Sequence, residues 1–168
     1  NGVMACGKHF PGHGDTEIDS HIALPVIHKE LSALEYHELI PFKRAIHEGV
    51  GMIMLGHLSV PSLDPSGKPA SISEKVVSYL RSTMQFRGLV ITDAMNMGAL
   101  GEYHELEASA MALNAGVDLL LHGVDALLET LDLIGQEARG LQGLVTFGSR
   151  VGLDVDLRDG VDEVAGET

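Results

Sequence analysis

The side chains best suited to chemistry are concentrated in residues 8–21, which read KHFPGHGDTEIDSH. The segment holds three histidines, two aspartates and one glutamate, and the turn-forming residues Pro11, Gly12 and Gly14 interrupt it. Imidazole and carboxylate groups serve as general acids and general bases near neutral pH. By composition alone, however, a solvated polar loop explains the segment equally well.

Two residues of this segment, Asp19 and His21, could form an acid–base pair. Side chains two positions apart in an extended segment point to the same side. A carboxylate beside an imidazole fixes its tautomer and raises its pKa, which suits a general acid or base near neutral pH. The spacing therefore favours such a pair, although Asp-x-His also occurs without this role.

A metal site is the alternative for the same segment. The candidate ligands are His9, His13, Asp15, Asp19 and His21. Two of these histidines lie on opposite sides of a Pro-Gly turn, and no helical HxxxH or HExxH register is available. We therefore predict no metal ion and no cofactor.

Further polar side chains follow short apolar runs. Asp93 follows GLVIT, His57 comes after VGMIML, and His122 follows GVDLLL. A carboxylate in the position of Asp93 is either the N-cap of the next helix or a nucleophile or base, and the residues alone favour the cap. His57 either lines a pocket or hydrogen-bonds a neighbouring loop.

Strands that alternate with helices must position these side chains. Apolar runs predict strands over 3–10, 50–55, 88–92 and 116–121. Amphipathic patterns predict helices over 31–48 (with Pro41 breaking the run), 73–84, 105–114 and 125–134. Ser71 and Ser73 are possible N-caps of the second helix, and Ala115-Gly116 is a stop signal for the third. This order predicts an α/β fold with a parallel sheet. The polar residues follow the strands, at the edge where α/β barrels carry their active sites.

Composition limits the class of protein further. The 168 residues are 45% hydrophobic, which is typical of a globular domain, and they carry a formal net charge of −13. Such acidity argues against a nucleic-acid partner. No apolar run reaches the ~18 residues that a membrane-spanning helix needs. The single cysteine, Cys6, excludes an internal disulfide, and we expect it to be a buried thiol.

Taken together, several segments resemble the family-3 glycoside hydrolases, in the β-N-acetylglucosaminidase branch. The segments that carry the resemblance are KHFPGHGDTEIDSH (8–21), LP (24–25), PFKRAI (41–46), MIMLGHLSVPSLD (52–64), PASIS (69–73), LR (80–81), FRGLVITDAMNMGAL (86–100) and AGVDLLL (115–121). The combination of KHFPGHG and DSH with a GLVITD strand is specific. The resemblance covers residues 2–130.

The resemblance implies a (β/α)8 barrel of the TIM type that cleaves terminal N-acetylglucosamine from glycosides, with retention of configuration and with peptidoglycan fragments as substrates. It implies that Asp93 is the nucleophile that forms a glycosyl-enzyme. It also implies that His21, on a mobile loop, is the acid/base and that Asp19 is its partner. Lys8 and His9 match residues that bind the sugar.

Other functions stay open at this point. An imidazole acid does not repel an anionic acceptor, so phosphorolysis is chemically conceivable. A family-3 β-glucosidase-like activity is a further alternative, although the resemblance implies that those enzymes carry a glutamate acid/base on a second domain. An inactive sugar-binding half-barrel represents a different class of function.

A complete barrel of this type takes about 250 residues. We therefore expect this chain to hold about the last four βα units, as part of a longer protein. Residues 1–134 then form the C-terminal half of the barrel, and residues 135–168, without clear periodicity, form an unassigned tail or irregular extension. Because open sheet edges pair readily, self-association is expected. The sequence does not indicate whether the protein is cytoplasmic or exported.

Overall fold

A four-stranded parallel sheet, in the order β1-β2-β3-β4, organises the protein. The computed structural model describes residues 2–14, 16 and 19–122. The strands are β1 (Cys6–Phe10), β2 (Met52–Leu55), β3 (Leu89–Ala94) and β4 (Leu119–Leu121). All four predicted strands are therefore present, and the α/β prediction is confirmed. The helix predicted over 125–134 and the segment 135–168 lie outside the described residues.

The two central strands bury one face, whereas the alternate residues of β2 are half-buried. Ile53 and Leu55 of β2 and Val90 of β3 are fully buried. Ile53 pairs with Val90, and Leu55 pairs with Thr92, so the two strands run in register to the same end of the sheet. The residues that follow β1, β2 and β3 consequently lie near one another.

Within residues 19–122, four α-helices accompany the sheet. They are α1 (Leu31–Tyr36), α2 (Ile40–His47), α3 (Glu74–Ser78) and α4 (Glu105–Ala115), and α3 continues as a π-helical turn over Tyr79–Thr83. The predicted break near Pro41 is present, but it falls at 37–39, and Pro41 is the second residue of α2. Proline suits the first turn of a helix, where its missing N–H would have no partner.

The ends of α3 and α4 follow their predicted signals. The Ser73 side chain caps α3 by accepting a hydrogen bond from the Val76 N–H at 3.3 Å. Gly116 ends α4 in a left-handed conformation (φ 98°), which glycine adopts without steric cost.

Cys6 is exposed, which contradicts the expectation of a buried thiol. It lies in β1, and among the described strands β1 pairs only with β2, so its other edge has no neighbouring strand. None of the helices within the described ranges is long and apolar enough to cross a membrane.

Candidate active site

The ends of β1 and β3 bring His9 and Asp93 together. His9 Nε2 lies 3.4 Å from Asp93 Oδ2, although β2 separates the two strands. Gly56, just beyond β2, lies next to His9, and an added Cβ on this glycine would lie 3.2 Å from the Cβ of His9. Because Gly56 has no side chain, the His9 imidazole has room to extend across the end of β2.

Asp93 does not cap a helix. Its Oδ1 accepts a hydrogen bond from the adjacent Ala94 N–H at 2.9 Å. The next helical turn, Gly98–Leu100, begins several residues later with Met97 at its N-cap position. Of the two interpretations left open by the sequence, the cap is therefore excluded. The side chain is 17% exposed, so one carboxylate oxygen remains within reach of a ligand.

His9 is an uncharged partner for this carboxylate at neutral pH. Burial lowers the pKa of His9 below its ordinary value of 6.5, and the nearby Asp93 carboxylate opposes this effect without cancelling it. Lys8, the preceding residue, is exposed. Lys8 and His9 both line a cavity of about 550 Å³, together with His13, Glu38 and Phe42, but Asp93 is not among its lining residues. The cavity therefore lies beside the contact between His9 and Asp93 and does not contain the carboxylate.

Asp19 and His21 form the predicted pair, but in a turn and not in an extended segment. His21 Nδ1 lies 2.7 Å from Asp19 Oδ1, which also accepts a hydrogen bond from the His21 backbone N–H at 2.9 Å. The Asp19 carbonyl accepts from the Ile22 N–H at 2.9 Å, which closes the turn. Hydrogen bonds from the backbone and side chain of His21 lower the pKa of Asp19.

The turn that carries the pair is attached to the segment after β3. The Ser20 carbonyl accepts from the Ala99 N–H at 3.0 Å, and the His21 carbonyl accepts from the Gly98 N–H at 3.3 Å. An added Cβ on Gly98 would lie 2.5 Å from the His21 oxygen, so only glycine permits this approach. The backbone next to the pair is thus connected to the chain that leaves Asp93. Among the described residues, no hydrogen bond joins His21 directly to Asp93.

His57 hydrogen-bonds the backbone of Ala94, the residue that follows Asp93. It is fully buried, with Nε2 2.9 Å from the Ala94 carbonyl and Nδ1 2.7 Å from the Ser71 hydroxyl. A carbonyl only accepts, so Nε2 carries the proton and Nδ1 accepts from Ser71. Burial lowers the pKa of His57, consistent with this neutral form. The sequence left open whether His57 lines a pocket or hydrogen-bonds a neighbouring loop, and the structure shows the hydrogen bond, to the Ala94 carbonyl.

Two further contacts, made by Ser20 and His122, were not predicted from the sequence. The Ser20 hydroxyl lies 2.9 Å from His13 Nε2. His122, beyond β4, is buried with Nδ1 2.9 Å from Glu105 Oε1. Only the position of Ser20 between Asp19 and His21 could have drawn attention to it. No group of three or more histidine, cysteine or acidic side chains converges on a metal-binding point within the described part of the chain.

Residues 1–146 match the Glycosyl hydrolase family 3 N terminal domain. A β-hexosaminidase of Chromobacterium violaceum is 36% identical over 137 residues, which are 77% of this chain and 38% of that protein. The structure is similar to that of a glycoside hydrolase family 3 β-N-acetylglucosaminidase from Paenibacillus sp. str. FPU-7, with a TM-score of 0.74 and 39% identity over 77% of this chain and 26% of that one.

NagZ from Neisseria gonorrhoeae, solved in complex with N-trifluoroacetyl-D-glucosamine, is also similar, with a TM-score of 0.69 and 35% identity over 81% of this chain and 39% of that one. The predicted fold class, part of a (β/α)8 TIM-type barrel, is confirmed by these similarities. The chain spans between 26% and 39% of the length of these three relatives.

Proposed function

Because the chain belongs to glycosyl hydrolase family 3, we propose that the complete gene product is a retaining β-N-acetylglucosaminidase that releases terminal N-acetylglucosamine through a covalent glycosyl-enzyme. The observation that carries the proposal is the position of Asp93 at the carboxyl end of β3, in contact with the uncharged His9. Relatives named β-hexosaminidase and β-N-acetylglucosaminidase support the same activity.

Asp93 is the nucleophile in this proposal. A retaining glycosidase needs a carboxylate to attack the anomeric carbon and a second group to protonate the leaving oxygen. Asp93 Oδ1 is held by the Ala94 N–H, and His57 holds the Ala94 carbonyl, so the carboxylate has a fixed backbone behind it. A fixed carboxylate loses little conformational entropy when it attacks.

His21 is the acid/base, and Asp19 orients it. The Nδ1 of His21 is hydrogen-bonded to Asp19, so Nε2 is the nitrogen that donates a proton to the leaving oxygen and later accepts one from water. The side chains are exposed by 74% for His21 and 59% for Asp19, so a leaving group can approach from solvent. That proton departs with the leaving group, and the imidazole then takes a proton from the water molecule that attacks the glycosyl-enzyme, which restores its acid form.

Lys8 and His9 bind the sugar in this proposal. Both lie in β1 towards its carboxyl end, where His9 contacts Asp93, and both carry N–H donors suited to sugar hydroxyl groups. The similarity to a protein solved with N-trifluoroacetyl-D-glucosamine supports a 2-acylamino sugar as the unit bound. We extend the proposal to peptidoglycan fragments in which N-acetylglucosamine is linked to a muramic acid unit.

Hydrolysis of an aryl β-N-acetylglucosaminide by the complete gene product tests this function. Asp93→Ala should lower kcat/KM at least about a thousandfold, or about 4 kcal/mol of transition-state stabilisation. The exposed Glu107→Gln, in α4, is the matched control and should keep the parent activity. An Asp93→Ala variant within tenfold of the parent would refute the assignment. Assays with and without phosphate identify the acceptor, and we expect the free sugar as the product in both.

A further inference from the structure

We propose that His13 is a positioning residue, which holds the Asp19–His21 pair in its place relative to Asp93 by binding the side chain of Ser20. The inference rests on the function proposed above, because it assumes that His21 is the acid/base. Its basis is a set of contacts around Ser20, the residue between the two members of the pair.

Both ring nitrogens of His13 are engaged. Nδ1 lies 3.0 Å from Thr16 Oγ1, and Nε2 lies 2.9 Å from Ser20 Oγ. The Thr16 hydroxyl donates its own proton to the His13 carbonyl at 3.1 Å, so it must accept from Nδ1–H. In the neutral ring, Nε2 then accepts from the Ser20 hydroxyl. Each proton has a defined place, and the ring orientation is fixed.

Ser20 is held from two sides. It is 3% exposed, its hydroxyl bonds to His13, and its carbonyl accepts from the Ala99 N–H. The neighbouring His21 carbonyl rests on Gly98, at a distance that no Cβ permits. Through its hydroxyl and its carbonyl, Ser20 therefore anchors a segment whose adjacent residues, Asp19 and His21, are exposed.

His13 also lies beside the nucleophile's partner. The rings of His13 and His9 are 6.0 Å apart in an edge-on arrangement, and His9 contacts Asp93. A continuous series of contacts therefore runs from Asp93 through His9 and His13 to Ser20. Loss of the His13–Ser20 bond should let the His21 imidazole depart from the distance to Asp93 that both steps of catalysis require.

The expected effect depends on the leaving group. A misplaced acid slows cleavage of a glycoside whose leaving group needs protonation, while an activated leaving group needs little. For His13→Ala, we expect kcat/KM to fall about 10- to 100-fold with a methyl β-N-acetylglucosaminide but less than about threefold with the dinitrophenyl glycoside. Loss of folded protein, or of a direct contact with the sugar, would lower both values equally.

Two conservative variants distinguish the hydrogen bond that His13 forms with Ser20 from the one that it forms with Thr16. His13→Gln reaches the position of Nε2 and can still bond Ser20, whereas His13→Asn reaches only the position of Nδ1 and can still bond Thr16. We expect Gln to restore most of the methyl glycoside activity and Asn to restore little. Ser20→Ala should behave like His13→Ala, and the double variant should be no worse than either. His28→Ala, at an exposed histidine, is the control and should match the parent.

The experiment uses the complete gene product and includes Asp93→Ala. If Asp93→Ala is inactive and His13→Ala shows the leaving-group difference, with rescue by Gln, the positioning role is supported. If Asp93→Ala is inactive but His13→Ala slows both substrates alike, or Asn rescues as well as Gln, the positioning role is wrong and the proposed function stands. If Asp93→Ala remains active, the proposed function fails and the positioning role falls with it.

Discussion

At the scale of single residues, the candidate site combines a fixed carboxylate with an exposed acid–base pair. Asp93 is 17% exposed and contacts His9, while His21 is 74% exposed. The nucleophile must approach one carbon atom closely, so a fixed position favours it. The acid/base must protonate a departing alcohol and then deprotonate an incoming water molecule, so exposure to solvent suits this role.

The role of His21 gives the first prediction. His21→Ala should lower kcat/KM far more for an alkyl β-N-acetylglucosaminide than for an activated aryl one, because the good leaving group needs little protonation. Asp19→Asn should cause a smaller loss, since it weakens the orientation of the ring without removing it. Steady-state kinetics on the two glycosides measure this. Equal losses on both would show that His21 binds sugar and is not the acid.

His57 predicts a pH dependence of stability. Its pKa is lowered in the folded state below 6.5, so below pH 6.5 the unfolded chain binds more protons and the free energy of unfolding falls as the pH decreases. The slope from this one group is at most about 1.4 kcal/mol per pH unit, and it ends at the lower folded pKa. His57→Gln should make the decline from pH 7 to pH 5 shallower in denaturant titrations, whatever its effect at pH 7. His28→Gln, at an exposed site, should leave the slope unchanged, and an unchanged slope in His57→Gln would refute the prediction.

At the scale of elements, the sequence predicted the sheet because its strands are continuous apolar runs beside glycines. It predicted the ends of α3 and α4 because Ser73 and Gly116 each satisfy a local requirement of the backbone. The contact between Asp19 and His21 was predicted for an extended segment, whereas in the structure a turn brings the two side chains together. The bond between His13 and Ser20 joins residues seven apart in an irregular loop, where no periodicity indicates which side chains meet.

The start of α3 allows a test of one element. The Ser73 hydroxyl accepts from the Val76 N–H and donates to Asp64 Oδ2 at 2.6 Å, and both side chains are buried. Ser73→Ala removes the cap and leaves a buried carboxylate oxygen without this donor. We expect a loss of about 1–3 kcal/mol in the free energy of unfolding. Ser78→Ala, exposed in the same helix, should change it by less than about 0.5 kcal/mol. Equal effects of the two variants in chemical denaturation would contradict this account of the cap.

At the scale of the whole molecule, the described residues form an open sheet in which β1 and β4 are the outer strands. The relatives are longer, and this chain covers between 26% and 39% of three of them. Unpaired strand edges bind other strands readily. Val3 and Met4, which precede β1 in the sequence, add exposed apolar surface, at 87% and 56% exposure.

Residues 1–168 produced alone should therefore self-associate and show little hydrolase activity. Size-exclusion chromatography with light scattering, run beside an aryl glycoside assay, measures both properties. Val3→Lys should reduce association by placing a charge beside the edge strand, whereas Tyr36→Lys, at an exposed position of α1, should not. An active monomer would contradict this prediction.

The central claim is that Asp93 forms the glycosyl-enzyme, and covalent trapping tests it most directly. A fluorinated N-acetylglucosaminyl fluoride slows hydrolysis of the intermediate more than its formation, so the labelled enzyme accumulates and can be digested for mass spectrometry. We expect one sugar per polypeptide, on the peptide that contains Asp93, and no label in Asp93→Ala. A label on another residue, or equal labelling of the Asp93→Ala variant, would contradict it.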